Sequence, residues 1–299
     1  MKFKKAMALL LTVSMIGSVA GCAKVKSVSQ EDFINACEQM GASEVDQDDN
    51  DVDDSALEDG VYMICDSDFI EENMSSDSLS SYSSMTGSDI PSVDSIIDPE
   101  NIEEAVIFAR AVQNIEDIED PDDIEDLDIN GIIGMHFTLT SDDLAEGIME
   151  NLADSLDEFN IDVEDLSSNE YYEGKNEGYI KIHIEAEDLV AAFMDSEVYG
   201  YIESFAGSEI DLEETLGALT GCVGVAFYIK GENAVVILGA EVNSDECFID
   251  DFCSELSVGN PCDLPSNTTV AESLCDYIDD SFGPMISMFA SYASADSGF

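Results

Sequence analysis

Residues 223–242 read VGVAFYIKGENAVVILGAEV. Val223, Val225, Phe227 and Ile229 alternate along the first half, the chain turns through Lys230-Gly231-Glu232-Asn233, and an apolar run returns from Ala234 to Val242. Two apolar runs joined by a short glycine-containing turn predict a β-hairpin. Outward from it, Ile180, Ile182 and Ile184 mark a half-buried strand, and Ile133, Met135, Phe137 and Leu139 mark another. Ala105 to Gln113 is a nearly continuous apolar run that predicts a buried strand. Gly60 to Cys65 predicts one more, with Val61, Met63 and Cys65 on one face.

Helical spacing fills the intervals. Leu144, Ile148, Leu152 and Leu156 recur four apart behind a cap at Thr140 or Ser141, and further helices are expected over Glu187–Met194, Asp211–Leu219, Asp245–Leu256 and Val270–Asp280. Thr269 with Glu272 reads as a capping box for the last of these. Near the other end, Ser29 with Asp32 reads as a capping box for a helix carrying Phe33, Ile34, Cys37 and Met40 on one face, with Gly41 as its stop. These elements predict an α+β fold: a mixed, largely antiparallel sheet with helices packed on it. A strand end followed by an acidic cap and an apolar helix residue recurs at Thr140–Leu144, Ala186–Leu189 and Asn243–Phe248. Repeated capping chemistry accounts for the pattern more simply than duplication of a βα unit.

Composition divides the chain. Residues 1–21 form a leader and 22–29 a tether. Residues 30–72 form a helix and strand too small to fold alone and expected to dock on a larger body. Residues 73–99 are expected to form a flexible loop, since ten of the 21 positions from Ser75 to Ser95 are serine. The α+β body spans 100–285 and a tail 286–299. Two acidic loops interrupt this plan, Asp46 to Asp59 and Glu116 to Asp128.

Of 299 residues, 45% are hydrophobic, including 14 Phe and 10 Tyr, enough to bury one sizeable core. Charge is the outlier: 68 Asp and Glu face 9 Lys and Arg. Removal of the leader with Lys2, Lys4 and Lys5 leaves 6 basic residues against the same 68 acidic ones, a net charge of −62. Such a body repels itself and excludes nucleic acid and anionic head groups as partners, because both are polyanions.

The leader begins with a basic segment (Lys2, Lys4, Lys5) and continues as an uncharged apolar stretch, Ala6 to Ala20. That is shorter than the ~20 residues a spanning helix needs. It ends in Val19-Ala20-Gly21-Cys22, small residues placed directly before a cysteine. This run resembles the lipobox of bacterial lipoproteins. The resemblance implies export, cleavage before Cys22, a diacylglyceryl group on its thiol, and anchoring to the membrane through acyl chains such as palmitate; two or more chains hold stably where one is marginal. Lipobox and acidic body together resemble surface lipoproteins of Gram-positive anaerobes, a likeness that assigns no activity.

Candidate chemistry is sparse. Asp46, Asp48 and Asn50 match positions 1, 3 and 5 of an EF-hand loop, but Asp51 stands where glycine is needed and Leu57 where a bidentate glutamate is needed. What remains is weak calcium binding by clustered carboxylates, against a plain solvated loop. By strand alternation His136 and His183 each lie opposite their apolar neighbours. Were their strands adjacent, both imidazoles would share one face with Glu185 and offer a transition-metal site. Seven cysteines follow Cys22: Cys37, Cys65, Cys222, Cys247, Cys253, Cys262 and Cys275. None form a CxxC pair. Export permits disulfides, with Cys37–Cys65 the first choice; buried reduced cysteine acting as a small hydrophobe is the alternative. No GxSxG is present, and no cysteine or serine is paired with a histidine by sequence context.

The expected function is a lipid-anchored extracytoplasmic binding or interaction module with an extracellular or envelope protein partner and no catalytic residues. One rival is a carboxylate-dependent hydrolase of wall or extracellular polymers, argued against by the absence of tryptophan platforms. The other is the solute-binding lipoprotein of a transporter, argued against by the hairpin and irregular element spacing.

Overall fold

The hairpin is the centre of the sheet. In the computed structural model, which describes residues 25–47, 54–73, 96–114, 128–206, 212–244 and 247–279, strands β7 (Gly221–Lys230) and β8 (Asn233–Val242) pair antiparallel from Gly221↔Val242 to Lys230↔Asn233. Gly231 opens the two-residue turn at φ 60°, the conformation a type II′ turn demands at its first central position.

Six further strands extend the sheet: β1 (Ser43–Val45), β2 (Val61–Asp66), β3 (Ile102–Asn114), β4 (Asp128–Leu139), β5 (Tyr171–Gly174) and β6 (Glu177–Glu185). Their order is β1-β2-β3-β4-β8-β7-β6-β5. The pair β1–β2 is parallel and every other pair is antiparallel. The expected α+β architecture is what the structure shows.

Helices cover both faces. One face is buried beneath α3 (Ser67–Asn73), α4 (Ala145–Asp157), α5 (Ala186–Met194) and the helix α9 at 268–279, through residues such as Ile70, Met149, Leu152, Leu156, Val270 and Ala271. The other is buried beneath α1 (Gln30–Gln39) and α8 (Phe248–Leu256), through Phe33, Cys37, Phe248, Ile249, Phe252 and Cys253. Period-two alternation feeds both cores: Ile180, Ile182 and Ile184 enter the first, while Tyr179 enters the second. Short helices α2 (Asp54–Asp59), α6 (Glu197–Ala206) and α7 (Leu212–Gly217) complete the described residues. No helix among them is long and apolar enough to cross a membrane.

Several expectations change at the edges. Residues 54–59, expected within an acidic loop, form α2. The tether is packed from Val25: Val25 and Val28 are buried in the second core, and Lys26 Nζ donates to the Leu256 carbonyl at 2.7 Å. The serine-rich segment ends in order, because Ile96 and Ile97 bury their side chains in the first core and Asn151 donates to the Ile96 carbonyl at 3.2 Å. Residues 74–95, the tail and all of the second acidic loop but Asp128, which begins β4, lie outside the described residues.

Caps divide likewise. The Ser29–Asp32 capping box is formed. Ser141 accepts from Asp143 N–H ahead of α4. For α9, however, Asn267 Oδ1 accepts from Val270 N–H at 3.1 Å, so the cap is Asn267 and not Thr269. Helices α4 and α8, which follow similar acidic junctions, pack on opposite faces. Of the three junctions only Ser141 forms a side-chain cap; α5 and α8 begin at Glu185 and Cys247 without one, so the recurrence is neither a duplicated packing unit nor a repeated cap.

Candidate thiol–imidazole site

The strand order separates the two histidines. Strands β8 and β7 lie between β4, which carries His136, and β6, which carries His183. Each histidine does lie opposite its apolar neighbours, and both use the α1/α8 side of the sheet. That side is a packed core, so no shared metal site with Glu185 forms. Glu185 is exposed, and its N–H donates to Ser266 Oγ at 2.9 Å.

His136 is a core residue with no exposed surface. Its Nε2 lies 3.0 Å from the Val28 carbonyl and 3.1 Å from Asn233 Oδ1. A carbonyl only accepts, so Nε2 carries the hydrogen. Nδ1 is buried without a hydrogen-bond partner, and the ring sits 5.8 Å from Phe33. Burial pushes the imidazole below its ordinary value of 6.5. The sign of its pH effect follows. Above 6.5 the ring is neutral in both states and its contribution to stability is fully present; below 6.5 the unfolded chain takes up a proton that the folded ring refuses, so stability falls toward the depressed folded value. His136→Gln is expected to flatten that acid-side loss. Urea unfolding of both proteins at about pH 7.5 and 5 checks it; a stability difference unchanged between the two would remove His136 as its source.

His183 meets different neighbours. At the same end of the sheet, Cys222 is the second residue of β7 and the turn Pro261–Asp263 packs against both strands. His183, Cys222 and Cys262 bring one ligand atom each to within 4.8 Å of one another. The two sulfurs are 3.6 Å apart. Glycine makes room for the turn: a Cβ on Gly224 would stand 3.1 Å from Cys262 Sγ and 3.3 Å from Pro261 Cγ.

Hydrogen bonds stitch the turn to its surroundings. His183 Nδ1 lies 2.7 Å from the Leu264 carbonyl and donates to it. Asn267 N–H donates to the His183 carbonyl at 2.8 Å. Asn260 Oδ1 accepts from Cys262 N–H at 2.9 Å, while its Nδ2 donates to Asp250 of α8 at 3.1 Å. With its Nδ1 hydrogen given to Leu264, the neutral ring keeps its lone pair on Nε2 for the cluster. Across the strand pair Cys222↔Glu241, Glu241 Oε1 stands 3.6 Å from Cys222 Sγ, and Glu241 Oε2 is buried with no hydrogen-bond partner. Cys247, just before α8, also acts on the Cys262 thiol.

The cluster polarises its members. Hydrogen bonds from Cys262 and His183 bring Cys222 down to about 6, despite its burial. The bond to Cys222 raises His183, and the thiols of Cys222 and Cys247 raise Cys262. Cys222 is thus the most acidic thiol of the group, favoured by the hydrogen bonds it receives from Cys262 and His183. Such a set offers a nucleophilic or metal-ligating sulfur.

The other sequence candidates fare differently. Cys37 and Cys65 are free thiols in the second and first cores respectively; the sheet lies between them, so the expected bridge is not formed. Asp46 is exposed just after β1, while Cys22, Asp48 and Asn50 lie outside the described residues. A hydrolase acid must be held protonated by its surroundings. Asp32 is displaced the opposite way by the Ser29 hydroxyl and Asp66 by the Phe69 N–H. Neither Cys222 nor Cys262 stood out in the sequence, because their meeting with His183 depends on register and on a turn 40 residues beyond Cys222.

No protein-family model matches the chain, and no curated protein and no solved structure matches it either.

Proposed function

We infer that the chain is exported, lipidated on Cys22 and held at the extracytoplasmic face of a membrane, where its α+β body works as a binding module with the His183–Cys222–Cys262 cluster as ligand site. The anchoring half of this reading is carried by Val19-Ala20-Gly21-Cys22, set directly after the basic and apolar leader. The binding half is supported by the convergence of two cysteine sulfurs and an imidazole. Packing of Val25 supports a close attachment. Three peptide steps from Cys22 to Val25 reach at most about 11 Å, which would keep the body against the bilayer surface. Partners then reach it from the extracellular or envelope side, and its charge favours basic proteins and cations over nucleic acid.

Cys22→Ala is expected to leave an uncleaved precursor that incorporates no labelled palmitate. The N-terminal peptide mass and fatty-acid labelling check it. Cleavage and labelling of the variant as in the parent would refute lipidation at Cys22.

A further inference from the structure

The geometry points to a zinc-type metal site in which His183, Cys222 Sγ and Cys262 Sγ are three ligands already gathered, and Glu241, which now faces Cys222 alone, swings a carboxylate oxygen in as the fourth. This deepens the binding reading above by naming the ligand, a thiophilic divalent d10 cation, and its binding half rests on that reading.

Four observations converge on it. First, the spacing fits. Zinc–sulfur bonds of about 2.3 Å in a tetrahedron place two sulfurs about 3.8 Å apart, and Cys222 and Cys262 stand at 3.6 Å. A disulfide needs about 2.05 Å, so the pair has the separation of co-ligands. Second, the histidine is held as a ligand is held. Metal-bound imidazoles almost always donate their other N–H to a carbonyl or carboxylate, which fixes tautomer and ring direction; His183 Nδ1 does so to Leu264 at 2.7 Å. Third, Glu241 Oε2 is buried without a hydrogen-bond partner while Oε1 faces Cys222. A buried carboxylate oxygen is costly unless paired, and a cation between it and the sulfurs supplies the pairing. Fourth, the donor set is selective. Two thiolates and an imidazole exclude calcium and magnesium, which take oxygen, and a carboxylate fourth ligand suits Zn2+ better than Cu+.

The site has an evident structural consequence. Its ligands come from β6, β7, β8 and the 261–263 turn, so the ion would pin that turn, and through Asn260 the helix α8, to the end of the sheet. Four protein ligands describe a closed site that holds its ion, where a hydrolytic zinc centre keeps a position for water.

The test uses the full chain, in detergent if it is acylated, reduced with a phosphine and stripped of metal. It is titrated with Zn2+ in excess Mg2+, which occupies the solvated carboxylates, and in parallel with Co2+ as a spectroscopic probe. Expected are one tightly held Zn2+ per chain and, with Co2+, intense visible bands of tetrahedral coordination plus sulfur-to-cobalt charge transfer. Cys222→Ser, Cys262→Ser and His183→Gln should each weaken binding by about 100-fold or more, and Glu241→Gln by about 10–100-fold. Cys275→Ser, outside the cluster, should bind as the parent does. If the serine variants fail to fold, the unaltered protein still decides: Zn2+ must slow alkylation of Cys222 and Cys262 at least tenfold. Weak octahedral cobalt spectra, or equal uptake by parent and variants, would overturn the site in favour of surface carboxylates. A Cys222–Cys262 disulfide in protein trapped with a thiol-blocking reagent as it is isolated would overturn it too, because that bond consumes both sulfur ligands. None of these outcomes touches Cys22, whose acylation is read separately by fatty-acid labelling.

Discussion

Phe252→Ala is expected to lower the stability of the chain by about 3–5 kcal/mol, the range for removing a fully buried phenylalanine. Phe252 has no exposed surface. Its ring stacks on Phe108 of β3 at 4.8 Å and meets Phe33 of α1 edge-on at 5.4 Å. One side chain therefore ties α8, α1 and the sheet together. Aromatic pairing adds about 0.5–1.5 kcal/mol per contact beyond the buried area. Gly134 tightens the fit further, since a Cβ there would lie 2.8 Å from the Phe252 ring and 3.0 Å from Phe33. Urea unfolding followed by circular dichroism measures the loss. A change below about 1 kcal/mol, the ordinary size of a surface effect, would mean that α8 is not seated as described.

Gly239→Ala is expected to be nearly as damaging, for the opposite reason. The new Cβ would fall 2.3 Å from Ile249 Cγ1 and 3.0 Å from the Gly131 carbonyl oxygen. Gly239 pairs with Gly224 across β7 and β8, and a Cβ on Gly224 would also strike Ile249, at 2.8 Å. The two glycines form a depression that receives Ile249 of α8. Overpacking of this kind costs about 1–3 kcal/mol and more where backbone must move; the contact with the Gly131 carbonyl puts this case at the upper end. Ile249→Ala alone should cost about 2–5 kcal/mol as a cavity. Combined, the two changes should destabilise by less than their sum, because shortening Ile249 removes most of the clash. A strictly additive double variant would show that Gly239 and Ile249 do not meet. Since α8 carries Asp250, which holds Asn260 beside Cys262, Gly239→Ala should also disturb the thiol cluster.

The two cores hold off a considerable repulsion. Buried aromatic and aliphatic residues on both faces of one sheet let a chain of 68 acidic and 9 basic residues fold. No Asp or Glu among the described residues is buried as a whole, so water and salt screen most of their charge; Asp128 and Glu241 each bury one oxygen.

Much of the fold is legible in residue order. Alternation of Val225, Phe227 and Ile229 with Ala226 and Tyr228 states that β7 has two buried faces, and the structure divides these residues between the two cores accordingly. The Ser29–Asp32 box states where α1 begins, and it is found there. For α9 the sequence offers three successive capping residues, Asn267, Thr268 and Thr269, and only the bonds that Leu264 and Asn267 make to His183 select the first.

By itself, then, the sequence determined the hairpin, the six longer strands, the helices α1, α4, α5, α7, α8 and α9, one core-facing side of each of those strands and the motif at Cys22, while β1, β5, α2, α3 and α6 were not legible in it. All of these are local, set by side-chain period, turn geometry and the order of a few neighbours. Tertiary structure alone decided which strands are adjacent and which face each helix covers. Alternation tells His183 which side of the sheet it occupies but not what lies beside it. Placing β8 next to β4 parted His183 from His136, and folding α8 over Gly224 and Gly239 brought Cys262 down onto Cys222. The same placement of α1 and α8 on one side put Cys37 out of reach of Cys65. Strand order and face are chosen by the burial of whole apolar surfaces against one another, a property of the assembled chain that no short window of residues contains.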